Sequence, residues 1–194
     1  MKGKDLYNEI LKKYKSAITE KWEVDKYNSE DLGLMYYVLS NSKKKLTDKI
    51  GYAYYDINHD GIDELLIGEI KRFPLKGYIY DIYTMVDRNP VHALSADTQE
   101  RYFICNNYFI CIEYLSNNKE NCTAVYFLEK NSTNISPQIK FIHDPAKNKK
   151  TPGFIVYGNS KNPENVTKRI FKEKKDSFCK YNKINLTPLS KFKY

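Results

Sequence analysis

The chain has 194 residues, with 32 Lys or Arg against 24 Asp or Glu and a formal net charge of +8. Hydrophobic residues make up 41% and aromatics 14%, enough apolar surface to bury a core, so wholesale disorder is excluded. The longest apolar candidate, Leu32 to Leu39, is under half the ~20 residues that a bilayer-spanning helix needs, so no transmembrane span is expected.

The opening reads as helix. Tyr7, Leu11, Tyr14, Ile18 and Trp22 are spaced 4, 3, 4 and 4, the stripe of an amphipathic helix within Lys4 to Trp22. A second helix is predicted to begin at Asn28 or Ser29, where a small polar side chain can accept the first free N–H groups. Asp31 would lie in its first turn and Leu32, Met35, Tyr36 and Leu39 on its buried stripe. Lys43 to Lys49 can add a short third piece around Leu46.

After Gly51 the period changes to that of strands. Tyr52–Tyr55 and Glu64–Ile67 read as strands either side of a turn. Tyr78 to Val86 alternates, with Tyr78, Tyr80, Ile82, Thr84 and Val86 on one face. Asp87-Arg88-Asn89-Pro90 is a turn, and Val91–Leu94 returns from it. Arg101–Cys105 and Tyr108–Leu115 flank Asn106-Asn107, a residue pair that tolerates the positive φ of a tight hairpin. Thr123–Glu129, Gln138–His143 and Phe154–Tyr157 continue the run, with a basic loop at 144–153. Pro163 stands before a short helix carrying Val166, Ile170 and Phe171 to about Asp176, and Tyr181–Leu186 reads as a closing strand. The expectation is an α+β fold: one domain over 1–194, with a helical opening (4–49), a β-rich part (50–162) and a C-terminal helix and strand (163–190). In it N-terminal helices pack on an antiparallel meander sheet, with one late helix.

The segment that carries chemistry is Asp56-Ile57-Asn58-His59-Asp60-Gly61-Ile62-Asp63-Glu64. Oxygen-bearing side chains fall at its positions 1, 3, 5 and 9, with Gly at position 6. Calcium takes six to eight oxygens at about 2.3–2.6 Å, and a chain curling around it turns every second side chain inward. The expected ligands are the side chains of Asp56, Asn58, Asp60 and Glu64 and the Ile62 carbonyl, which Gly61 turns to the ion by supplying the sharp bend. An EF-hand is excluded, since position 12 is Ile67 inside an apolar run. The alternative is a hairpin turn without an ion, held by Asp and Asn side chains accepting bonds from backbone N–H groups two residues on. His59 and Asp63 should point outward. Asp81, in an otherwise apolar strand, is either a partner of the loop or a solvent-facing residue.

The pattern D-x-N-x-D-G-x-x-E resembles the strand-loop-strand calcium loops of FG-GAP repeats in integrin α-chain propellers, although this chain carries one copy and the propeller does not carry over. The wider layout also resembles a family of uncharacterised, mostly exported proteins and lipoproteins of low-GC Gram-positive bacteria. That likeness rests on the helical Leu6–Trp22 opening, on the block from Tyr54 to Gly68 followed by Asp81-Ile82-Tyr83-Thr84, and on Thr187-Pro188-Leu189-Ser190. It implies an exported or cell-envelope location. Met1-Lys2-Gly3-Lys4-Asp5 does not begin a signal peptide, so the expectation is either a cytoplasmic chain or the mature part of an exported one.

Cys105, Cys111, Cys122 and Cys179 lack C-x₂-C spacing, and His59, His92 and His143 are far apart in sequence, so no zinc site is expected. The cysteines read as small buried hydrophobes on strands, with a Cys111–Cys122 bridge across a hairpin as the alternative. None of the common hydrolase, nucleotide or metalloprotease signatures is present. The function expected is a non-catalytic, monomeric extracellular or cell-envelope module with one weak structural calcium loop. The alternatives are an anionic-polymer binder, for cell-wall polymer or nucleic acid, using Lys43–Lys45, Lys147–Lys150 and Lys172–Lys175, and an uncharacterised hydrolase.

Overall fold

The computed structural model describes residues 5–33, 46–70, 78–97, 99–115, 121–143 and 153–193. The chain divides into two compact units: Met1–Thr98 with Lys130–Thr133 and Lys183–Tyr194, and Gln99–Glu129 with Asn134–Asn182. Strand outweighs helix, 43% to 24%, and the described residues form eleven antiparallel strands. The expected α+β fold, with N-terminal helices as a layer on a meander sheet, is thereby corrected to a mostly antiparallel β architecture with few, short helices. Its physical reason is visible at the opening. The apolar stripe runs from Tyr7 to Trp22, but Lys21 turns into the left-handed region (φ +54°) and the helix spans only Asn8–Thr19.

The first unit holds α1 (Asn8–Thr19), α2 (Val24–Ser29), α3 (Leu46–Lys49), β1 (Ile50–Tyr55), β2 (Glu64–Glu69), β3 (Tyr78–Val86), β4 (Asn89–Ser95) and β11 (Thr187–Pro188). Its strand order is β4-β3-β2-β1-β11. Leu65, Ile67, Tyr83 and Met85 share a core with Leu11, Tyr14 and Ala17 of α1, with Tyr27 and Leu32, and with Leu189 and Phe192 near the C-terminus. The start expected for the second helix is corrected: α2 ends at Ser29, and Asp31 adopts φ +53° instead of lying in a first helical turn. Met35, Tyr36, Leu39 and Lys43–Lys45 lie outside the described residues.

The alternation expected along β3 also fails. Ile67 pairs with Asp81 and Gly68 with Ile79, so Tyr80 is an extra residue in the ladder and both Tyr78 and Ile79 are buried. Gly68 makes this possible: a Cβ there would lie 2.0 Å from the Tyr78 carbonyl oxygen. The β3–β4 turn is tighter than predicted, since only Asp87 (φ +50°) and Arg88 (φ +68°) turn while Asn89 and Pro90 already pair.

In the second unit β5 (Glu100–Ile104), β6 (Ile110–Leu115), β7 (Asn121–Leu128), β8 (Ile135–His143), β9 (Gly153–Tyr157) and β10 (Glu164–Val166) are antiparallel neighbours in sequence order. The hairpin after β5 puts its positive φ on Tyr108 (+65°), not on either Asn. Val166, expected in the late helix, is buried in β10 opposite Gly153. Helix α4 (Lys168–Phe178) starts two residues after Val166, because the Thr167 hydroxyl caps it by accepting from the Ile170 N–H. Phe171 and Phe178 of α4 then pack on Phe141, with ring centroids at 5.7 and 6.4 Å. The predicted closing strand is reduced to a bridge between Cys105 and Tyr181, and Thr187–Pro188 pairs with β1 instead. No helix among the described residues is long and apolar enough to cross a membrane.

Two glycines test this account. Gly68→Ala forces a methyl onto a backbone oxygen and should cost at least the ~1–3 kcal/mol of core overpacking. Gly61→Ala has open space around it and strains only its backbone (φ +86°), a cost of about 1–2 kcal/mol. Urea midpoints at unchanged slope should rank Gly68→Ala below Gly61→Ala.

Candidate functional site: the 56–64 turn and the Asp81 network

The turn from β1 to β2 is built by side chains folding back on their own backbone. Asp56 accepts from the Asp60 N–H (3.3 Å) and the Gly61 N–H (3.1 Å) through different carboxylate oxygens. Asn58 Oδ1 accepts from the Asp60 N–H at 3.1 Å, and Asp60 Oδ1 from the Ile62 N–H at 2.7 Å. These are the Asx turns open to such a sequence, and they draw the side chains at positions 1, 3 and 5 of the loop inward. The chain bends twice through the left-handed region, at His59 (φ +56°) and at Gly61 (φ +86°). The sequence pointed only to the glycine. His59 is exposed, whereas Asp63 is half-buried, and its carbonyl accepts from the Tyr7 hydroxyl at 2.9 Å.

Glu64 opens β2 with its side chain fully buried. Its Oε2 accepts from the Ile57 N–H at 2.8 Å and its Oε1 from the Thr84 hydroxyl at 3.0 Å. Burial pushes its carboxyl up to about 8. The two hydrogen bonds oppose that shift, and the nearby negative charges of Asp60 and Asp56 add to it. The amide of Asn58 is equally buried, and its Nδ2 has no hydrogen-bond partner among the described residues. Of the five expected ligands, Asp56, Asn58, Asp60 and Glu64 therefore border one turn, with Ile62 half-buried at its exit. Apart from the Thr84 hydroxyl, the donors to these side chains described above are backbone N–H groups. Among the described residues no group of three or more His, Cys, Asp or Glu is disposed to hold a metal ion.

A second polar centre forms on the other side of β2 and β3. Leu65, Ile67, Asp81 and Tyr83 face α1, while Leu66, Ile82, Glu64 and Thr84 alternate away from it. Asp81 is fully buried, so the solvent-facing reading does not hold. Its Oδ2 accepts from the Tyr14 hydroxyl at 2.7 Å, and its Oδ1 from the Ser95 hydroxyl at 2.6 Å and from His92 Nε2 at 3.2 Å. His92 Nδ1 meets Asp31 Oδ1 at 3.0 Å, and Tyr83 donates to the Asp31 carbonyl at 2.8 Å. The backbone closes in as well, since a Cβ on Gly33 would fall 1.9 Å from Asp81 Oδ1. The sequence offered one signal for this centre, a carboxylate inside an apolar strand; its partners are 11 to 67 residues away.

Both ring nitrogens of His92 face acceptors, which is the environment of an imidazolium. Burial alone would lower its proton affinity, but the hydrogen bonds and charges of Asp81 and Asp31 outweigh it and hold the ring at about 9. The ring stacks on Tyr83 with centroids 4.6 Å apart. With both nitrogens engaged, neither is left to take a proton from a substrate. The centre is built to hold structure, not to act as a base.

The cysteine expectations divide. Cys105, Cys111 and Cys179 are buried, but Cys111 pairs with Val125 and Cys122 with Tyr114. An offset of three residues puts Cys111 and Cys122 on opposite faces, which rules out the alternative bridge. Of the lysine runs, Lys43–Lys45 and Lys147–Lys150 lie outside the described residues, and Lys172–Lys175 belong to α4. No family model, curated protein or solved structure matches the chain.

His92 gives the structure a pH dependence of known sign. Its folded value of about 9 lies above the 6.5 of an unperturbed histidine. Its stabilisation is therefore complete below pH 6.5 and lost as pH rises through 9, an effect of ~3 kcal/mol at ~1.4 kcal/mol per pH unit. The gap in unfolding free energy between wild type and His92→Gln should shrink by that order between pH 6 and pH 9.5. Urea titrations that give a constant gap would contradict the paired imidazolium.

Proposed function

We propose that the chain is a non-catalytic β-sheet module whose β1–β2 turn is a weak, structural calcium loop. Asp56, Asn58, Asp60, the Ile62 carbonyl and Glu64 supply the oxygens. The observation that carries this reading is geometric: Asp56, Asn58 and Asp60 all fold inward on one nine-residue turn that the buried Glu64 closes through the Ile57 N–H, so three acidic groups and their mutual repulsion share it. A divalent cation relieves that repulsion. The Asx bonds do not exhaust the loop, because each carboxylate oxygen has a second lone pair. They fold the turn in advance, so little ordering is left for the ion to impose.

A single loop with four side-chain ligands belongs in the weak range of roughly 10⁻⁴–10⁻³ M, typical of extracellular modules. Such a site fills outside the cell, which agrees with the exported or cell-envelope setting implied by the family resemblance. A second reading, a binder of anionic polymer, is favoured by α4 alone, where Lys168, Arg169, Lys172 and Lys174 are all exposed.

Terbium is the probe, since Tyr54 and Tyr55 end β1 beside the turn and can sensitise it. Calcium should compete in the millimolar range. Asp60→Ala should abolish the luminescence, and Asp63→Ala should change it less than twofold. Equal losses from both would refute the ligand register, and an unchanged Asp60→Ala signal would refute the site.

A further inference from the structure

The second unit gathers three of the four cysteines at one point. Cys105 follows β5 and Cys111 lies on β6, opposite Phe103, so the two share a face as diagonal neighbours across the hairpin. Both are free thiols, and their sulfurs are in direct contact at 2.6 Å. Cys179 lies two residues before Tyr181, whose antiparallel bridge with Cys105 puts the Cys179 side chain on the same face as a diagonal neighbour. It is held there by backbone: its N–H bonds to the Lys175 carbonyl at the end of α4. The next residues run antiparallel to the β5 end, with Asn106 N–H to Lys180 O at 2.8 Å and Asn182 N–H to Ile104 O at 2.7 Å. Cys105 and Cys111 are sealed from solvent, whereas Cys179 retains 9% of its surface.

We propose that Cys105, Cys111 and Cys179 form a three-thiol redox centre that reacts with low-molecular-weight disulfides and stores the oxidation as a Cys105–Cys111 bond. Cys179 is the entry point. Of the three it alone keeps contact with solvent, and the two neighbouring thiols and the Lys175 ammonium favour its thiolate against the opposing effect of burial. The Cys179 thiolate attacks one sulfur of the small disulfide, forming a mixed disulfide and expelling one small thiolate. Cys105 gives up its proton and attacks the Cys179 sulfur, expelling the second small thiolate and leaving a Cys105–Cys179 bond. Cys111 then gives up its proton and attacks the Cys105 sulfur, Cys179 leaves as thiolate again, and the protons of Cys105 and Cys111 pass through solvent to the two expelled small thiolates. In sum, two protein thiols and one small disulfide become one protein disulfide and two small thiols, with two electrons passing to the reagent. The product staples the β5–β6 hairpin.

The test uses the reduced full chain with excess glutathione disulfide, quenched by alkylation and mapped by trypsin. Cys105 and Cys111 share the peptide Tyr102–Lys119, Cys179 lies in Asp176–Lys180 and Cys122 in Glu120–Lys130. The expected result is Tyr102–Lys119 unalkylated and lighter by two hydrogens, with Cys122 and Cys179 both alkylated. Cys179→Ser should slow its formation at least tenfold without changing the product. Cys111→Ser should divert the bond into a Tyr102–Lys119 to Asp176–Lys180 cross-link. The wild-type map stands whether or not a variant folds. Full alkylation of all four cysteines, a bond to Cys122, an undiminished rate in Cys179→Ser, or stoichiometric zinc retained in place of a disulfide would each overturn the proposal.

Discussion

A carboxylate sealed inside an apolar core costs several kcal/mol unless its charge and lone pairs are met. In the first unit Asp81 imposes that demand, and the surrounding chain is arranged to answer it. Tyr14 reaches it from α1, Ser95 and His92 from β4, and Gly33 brings the backbone up against the hydrogen-bonded Asp81 and Ser95 side chains. Each of these contacts joins segments that apolar packing alone would leave free to slide. An aliphatic residue at position 81 would give a core of similar area. It would not fix which turn of α1 lies over β3, because a methyl group accepts contact from any direction and a carboxylate only from a donor.

Strands β2 and β3 carry a buried acid on each face, and the two are compensated differently. Asp81 has an imidazolium whose second nitrogen is held by Asp31. Glu64 has a backbone N–H and a hydroxyl, and among the described residues no cationic side chain pairs with it. Two neutral donors do not balance a buried charge, so the carboxyl is pushed up to about 8. The acid that brings its own cation locks the fold, while the acid without one borders the turn that holds Asp56 and Asp60.

The elements legible in the sequence were those whose signal is local. Apolar and aromatic runs bounded by turn residues found β3, β7 and β9 to within a few residues, and the 3.6-residue stripe found α1. Errors fell where a distant partner decided. Asp31 looks like a helix-start residue, but its backbone enters the left-handed region and its side chain meets His92, 61 residues away. Tyr80 breaks the alternation of β3 because Gly68, on another strand, allows the two backbones to approach. The balance of fold class failed for a related reason. Helical stripes announce themselves over a few turns, whereas short strands separated by turns, such as Glu164–Val166, acquire identity only when paired. The Asx turns of the loop were legible because their bonds run within five positions of the chain, whereas its second left-handed bend, at His59, carried no such mark. The Asp81 centre left a single mark, an acid among apolar neighbours.

The 56–64 turn does not stand apart from the core. The register from Ile50↔Glu69 to Tyr55↔Glu64 is unbroken, so the turn ends where the β1–β2 ladder begins. Tyr7, fully buried at the start of α1, donates to the Asp63 carbonyl and lies against Tyr54, with ring centroids 6.3 Å apart. The phenol is thus fixed at its hydroxyl by the turn and along its ring by β1. A change in the backbone of Asp63 must either break that bond or move the first turn of α1, and α1 also carries the Tyr14 hydroxyl bound to Asp81. Whatever steadies Glu64 and its neighbours therefore acts on helix position through two tyrosines seven residues apart on one helical face. A cation held by this turn would be worth more to the fold than its few ligand bonds, because it would remove freedom from the segment that sets how the helix meets the sheet.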